Sequence, residues 1–110
     1  MAPKINVRIK DNVLTLSGVL DHQSILDANE QGQLWLRTST AQDCYLDLGL
    51  VTYSNSAGIA LILGWLRTAH QFQKSLRIIS LPDNILALAQ VSGLDELLKQ
   101  QSNDRRARSM

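Results

Sequence analysis

An α/β fold built on a small mixed sheet is predicted by three features of this chain of 110 residues. Two N-terminal segments alternate apolar and polar residues at period two, two later short apolar runs read as buried strands, and segments with apolar residues at helical spacing separate them. Strands that alternate with helices imply βαβ crossovers, which are right-handed almost without exception and leave consecutive strands parallel. The sheet is therefore expected to be parallel except at its N-terminal edge.

That edge is a hairpin. Ile5-Asn6-Val7-Arg8-Ile9 alternates, Asp11-Asn12 offers a turn, and Val13-Leu14-Thr15-Leu16-Ser17 alternates again before Gly18 ends the pattern. Residues 22–37 then place Ile25, Ala28, Gly32 and Leu36 on one helical stripe, with Asp21 as a natural N-cap. A polar connection over 38–42 leads to a strand at 44–48, and after a polar turn a helix is expected over 56–73. Leu76-Arg77-Ile78-Ile79 is the next strand, and Asp83 caps a helix that runs through Val91 and stops at Ser92-Gly93. Residues 94–98 supply one or two further helical turns. The expected result is one domain over 1–99 with helices on the faces of the sheet, followed by a polar, disordered tail at 100–110 that has no apolar face to bury.

Composition narrows the function classes. Apolar residues make up 45% and charged residues 19%, and cations exceed anions by one, so no global charge directs the chain toward nucleic acid or membrane. The longest nearly apolar run, residues 59–66, is interrupted by Gly64 and falls far short of the roughly 20 residues that span a bilayer. The N-terminus lacks the apolar stretch of a signal peptide, so a cytoplasmic location is expected. The single cysteine, Cys44, lies within an apolar strand and reads as a small buried residue rather than a reactive thiol. Arg105, Arg106 and Arg108 in the tail are partly offset by Asp104 and form a weak anchor for anionic lipid at best.

Enzyme chemistry finds little support. His22 and His70 fall in different helices with no carboxylate or cysteine at metal-ligand spacing. Asp21-His22 with Ser56 is the one constellation that suggests a hydrolytic triad, but no GxSxG-like elbow accompanies it. A P-loop and a GxGxxG motif are both lacking, so no cofactor, metal or nucleotide is expected.

The most informative stretch is 46–64, LDLGLVTYSNSAGIALILG, an apolar strand that passes through a polar turn and restarts as a helix at Ser56-Ala57-Gly58. A helix start of this kind presents free backbone N–H groups and a small hydroxyl to solvent, which suits docking or phosphorylation. Asn55 or Ser56 caps the helix in the simplest reading, and in a second reading the capped turn is also a contact surface. Ser54 reads as a polar neighbour or as plain loop, and Asp21 as an N-cap or the rim of the contact surface. The helix that follows is apolar nearly all round, so either its neighbours cover it or part of it awaits a partner or a second copy of the chain. Trp35 reads as core or rim before interface.

Ser17-Gly18-Val19-Leu20-Asp21, Leu46-Asp47-Leu48 followed by Val51-Thr52-Tyr53, Asn55-Ser56-Ala57-Gly58 and the late Val91-Ser92-Gly93-Leu94 together resemble the STAS domain, over about residues 5–98. In the anti-sigma-factor antagonists of that family the junction reads Asp-Ser-Ser-Gly or Asp-Ser-Thr-Gly, and a partner kinase phosphorylates the hydroxyl before the glycine. Here that position is Ala57, and neutral Asn55 replaces the acidic residue. The junction is similar to that of the stand-alone STAS subunit of Mla-type phospholipid ABC systems, where a Thr or Ser one place earlier, the position of Ser56, grips the ATPase. The resemblance implies a non-catalytic subunit that sits at the inner membrane through that ATPase and its permease and supports outer-membrane lipid asymmetry. Ser54, Asn55, Ser56, Ala57, Gly58 and Asp21 would form its contact site. An antagonist that binds a kinase-like anti-sigma factor is the alternative, and a nucleotide or small-ligand sensor is a third.

Overall fold

The computed structural model describes residues 4–91 and Gly93. The elements come in the expected order: β1 (Ile5–Lys10), β2 (Val13–Leu20), α1 (Ile25–Thr38), β3 (Asp43–Ser54), α2 (Ser56–Gln71), β4 (Ser75–Ile79) and α3 (Asp83–Val91). β1 and β2 form the antiparallel hairpin, and β2, β3 and β4 are parallel, in the spatial order β1-β2-β3-β4. The hairpin turns at Asp11, whose φ of 55° a short polar side chain tolerates better than a branched one. Asn12 then ties the turn to β3: its carbonyl accepts the Tyr45 N–H, and its side-chain amide donates to the Asp43 carbonyl.

Two strands run longer than the sequence pattern suggests. β2 continues past Gly18 to Leu20, and β3 continues past Leu48 to Ser54. In β2 the period of two persists to Leu20 and only Gly18 interrupts it; in β3 the alternation is hidden because the β2–β3 ladder shifts register twice, between the partners of Thr15 and Ser17 and between those of Gly18 and Val19. At each shift β3 carries one extra residue, which reverses the faces of the residues that follow. The long β3 brings Ser54 beside Leu20 and leaves only Asn55 before α2.

The helices cover one face of the sheet, not both as the element order alone suggested. Strand order equals chain order, so the crossovers through α1 and α2 step in the same direction, and two right-handed crossovers of that kind place their helices on the same side. Burial agrees. Leu14, Leu16, Cys44, Leu46, Leu76 and Ile78 are buried, whereas the intervening Val13, Thr15, Tyr45, Asp47, Arg77 and Ile79 are at least partly exposed. On the covered side α1 packs against α2 and α2 against α3, around Leu36, Ile62, Trp65 and Ile85. Trp35 also joins this core, as the sequence suggested.

α1 and α2 meet through a close approach. A Cβ on Gly32 would lie 2.2 Å from the Trp65 ring, so the indole occupies the space that a side chain would fill. The Trp65 indole N–H donates to Asn29 Oδ1 at 3.2 Å, and the Thr68 hydroxyl lies 2.7 Å from Gln33 Oε1, so these two polar groups of α2 are paired with α1, whereas the buried Trp35 indole N–H has no partner among the described residues. Lys74 donates to the carbonyls of Ser39 and Ala41, which holds the end of α1 against the turn after α2. α2 itself stops at Gln71, two residues before the expected end, because Gln73 takes a φ of 58° that closes the turn. The Gly93 N–H donates to the Gln90 carbonyl just beyond α3. Ser92, the further helical turns at 94–98 and the polar tail at 100–110 lie outside the described residues.

Candidate functional site

The parallel strands end where α1 and α2 begin, so Leu20-Asp21 and Ser54-Asn55 meet at one end of the sheet. The Asn55 N–H donates to the Leu20 carbonyl at 3.1 Å, which locks the two strand ends together. Asn55 is the N-cap of α2 and has extended backbone, with its side-chain oxygen accepting the Ala57 N–H at 2.9 Å. Its carbonyl accepts the Gly58 N–H at 3.0 Å and the Ser54 hydroxyl at 3.0 Å. Of the two residues that could cap the helix, Asn55 is the one that does.

This corrects the picture of a helix start with several free donors. The Ala57 and Gly58 N–H groups are taken by Asn55. Ser56 is exposed, and neither its N–H nor its hydroxyl has a hydrogen-bond partner among the described residues. Ser54 (3% exposed) and Ala57 (4%) are buried, as is Gly58. Of the residues expected to form a contact site, Ser54, Ala57 and Gly58 shape the turn from within. Asn55 and Asp21 are partly exposed, and Ser56 alone of the six is exposed.

Asp21 does cap the start of the first helix, one turn ahead of its regular part. Its Oδ1 accepts the N–H groups of Gln23 and Ser24, the Ser24 hydroxyl accepts the Asp21 N–H, and the Asp21 carbonyl accepts the Ile25 N–H. The exchange between Asp21 and Ser24 is a capping box with serine in the third helical position. Lys4 Nζ lies 3.0 Å from Asp21 Oδ2 and 2.7 Å from Gln23 Oε1. The Ser24 N–H and then Lys4 hold the Asp21 carboxyl down to about 2. Both carboxylate oxygens are thus occupied within the chain.

No three His, Cys, Asp and Glu side chains of the described residues gather where a metal ion would be held. His22 is exposed at the turn before α1 and His70 is exposed near the end of α2. Cys44 is fully buried, and burial pushes its thiol up from its ordinary value. No helix among the described residues is long and apolar enough to cross a membrane.

The outer side of α2 is less apolar than its sequence suggests, because Ile59, Leu61, Ile62 and Trp65 turn inward and leave Ser56, Ala60 and Arg67 exposed. A separate apolar surface was hidden in the irregular end of β3. Leu50 (61% exposed) pairs with Ser17 and Tyr53 (52%) with Val19, which places both on the uncovered face of the sheet. The signal that could have revealed them is the pair of register shifts, which sequence alternation does not print.

A four-stranded mixed sheet covered on one side by three helices, with a capped helix start as its exposed landmark, defines a STAS domain. The chain belongs to the family described as "Mlab, STAS domain", which it matches over residues 5–99. Its fold is similar to a chain of the Acinetobacter MlaFEDB complex in an ATP-bound conformation, with a TM-score of 0.68 and 23% identity over 78% of this chain and 90% of that one. It is also similar to the unphosphorylated anti-sigma factor antagonist SpoIIAA, a Bacillus protein, with a TM-score of 0.66 and 15% identity over 84% and 83% of the two chains. In sequence it is 33% identical over 63 residues to an anti-sigma-B factor antagonist of Staphylococcus aureus (strain NCTC 8325 / PS 47). That match takes in 57% of this chain and 58% of the relative's length.

Proposed function

We propose that this chain is a non-catalytic, cytoplasmic accessory subunit that binds the ATPase of a phospholipid-transporting ABC complex, stabilises or activates it, and so supports outer-membrane lipid asymmetry. The family's description as Mlab and the likeness to a chain of the MlaFEDB complex support this reading. The observation that carries it is the form of the junction: the residue before Gly58 is a buried methyl, and the neighbouring exposed hydroxyl, on Ser56, is free to meet a partner. The subunit docks through Ser56 and Asn55 at the start of α2, and the ATPase links it to a permease in the inner membrane. Docking favours the ATPase arrangement competent for dimerisation and hydrolysis by binding it better than the alternatives.

A pull-down from native membranes with tagged wild type and Ser56→Arg tests this. Wild type recovers an ABC ATPase with its permease, and the variant, whose new charge is tolerated by the fold because position 56 is exposed, does not. Recovery of the ATPase by both would remove Ser56 from the interface. The named relatives favour a second reading, an anti-sigma-factor antagonist. It predicts capture of a soluble kinase-like protein and phosphate transfer to this chain, although Ala57 has no oxygen to accept phosphate.

A further inference from the structure

We infer that Ser54, buried beneath the junction, is a positioning residue for the docking turn and forms a matched pair with Gly58. Its hydroxyl does two things at once. It donates to the Asn55 carbonyl at 3.0 Å, the same carbonyl that receives the Gly58 N–H, and it fills the volume that a side chain at position 58 would occupy. A Cβ on Gly58 would lie 2.1 Å from Ser54 Oγ, whereas the next nearest atoms, Leu20 Cβ and Cδ1, are 3.3 Å away. The backbone of α2 therefore seats directly on the serine oxygen. Asn55 is held from three sides, by Leu20 through its N–H, by Ser54 and Gly58 through its carbonyl, and by Ala57 through its side chain. Ser56 follows immediately, so the direction in which it leaves the domain is set through Asn55 by the buried Leu20, Ser54, Ala57 and Gly58. The two serines of Ser54-Asn55-Ser56 divide the work: the buried one orients and the exposed one makes contact.

The pairing has a steric signature. Gly58→Ala alone drives a methyl into Ser54 Oγ, so either the hydroxyl turns away and gives up the Asn55 carbonyl or the start of α2 shifts. Ser54→Ala removes that oxygen, and the double variant S54A/G58A then leaves contacts no closer than 3.3 Å, which small shifts absorb. The double variant should therefore melt higher than G58A, although each substitution alone lowers the melting temperature. A double variant that melts below G58A, as independent losses would give, overturns the pairing.

The docking consequence depends on Ser56 meeting the ATPase as proposed above, so two readouts are made on the full chain. Amide hydrogen exchange compares the bonded junction amides of Asn55, Ala57 and Gly58 with the later α2 amides of residues 61–69. In S54A the junction amides are expected to exchange about three- to tenfold faster, the loss of one hydrogen bond, while the later amides keep their rates. A uniform rise, which a merely structural role produces, or no change overturns the inference. In the membrane pull-down, S54A should retain about three- to tenfold less ATPase than wild type. If S56R abolishes capture while S54A leaves both capture and exchange unchanged, the positioning role fails and the docking site stands. If S56R itself leaves capture intact, the docking site fails and the role of Ser54 in docking goes with it.

Discussion

The carboxylate of Asp21 illustrates how much one side chain does at the strand ends. It caps the first helical turn, accepts Lys4 and titrates at about 2 instead of its ordinary 3.8. Because its folded value is depressed, the stability it contributes is present above pH 4 or so and is lost as pH falls toward about 2. Asp21→Asn should remove that part of the acid sensitivity: between these limits, urea unfolding of the variant should show a shallower fall of stability with pH than wild type. Cys44 makes the opposite case, a titratable group held away from solvent. Its burial and raised thiol predict that a thiol reagent labels the native chain far more slowly than the chain in denaturant at pH 8, and equal rates would contradict the packed β3 core.

Elements are placed by close approaches that composition does not announce. α1 lies on α2 because Gly32 leaves room for the Trp65 indole, whose N–H is in turn answered by Asn29. Gly32→Ala puts a methyl within 2.2 Å of that ring, so despite the better helix propensity of alanine the variant should lose about 1–3 kcal/mol in denaturant unfolding. The stripe of Ile25, Ala28, Gly32 and Leu36 was legible at helical spacing, but the reason for a glycine within it was not. The reason lies on α2, 33 residues further along the chain, and no local pattern encodes it.

At the scale of the whole molecule, the four-stranded sheet has one covered and one open face, and substitutions should sort accordingly. Leu16→Ala, on the covered face, is expected to cost about 2–5 kcal/mol. Thr15→Ala, one residue away on the open face, should cost no more than about 1 kcal/mol, the strand preference of threonine over alanine. Equal costs, measured by equilibrium unfolding, would mean that something covers the second face in solution. The same asymmetry leaves Leu50 and Tyr53 in solvent on the strand that leads to the turn before α2, where neither an alternating pattern nor a helical one would have placed them.

Period, capping residues and chain order were enough to determine the element sequence, the antiparallel hairpin with its parallel continuation, the buried Cys44 and the position of the junction at Asn55-Ser56, because each of these is a local preference or follows from the handedness of a crossover. Tertiary structure alone decided that Ser54 is buried while Ser56 is exposed, how far β3 runs and what stands against a side chain at Gly58. Each of those depends on an atom brought in from elsewhere in the fold: Leu20 beside Ser54, the bulges against β2, and a serine oxygen beneath the first turn of α2.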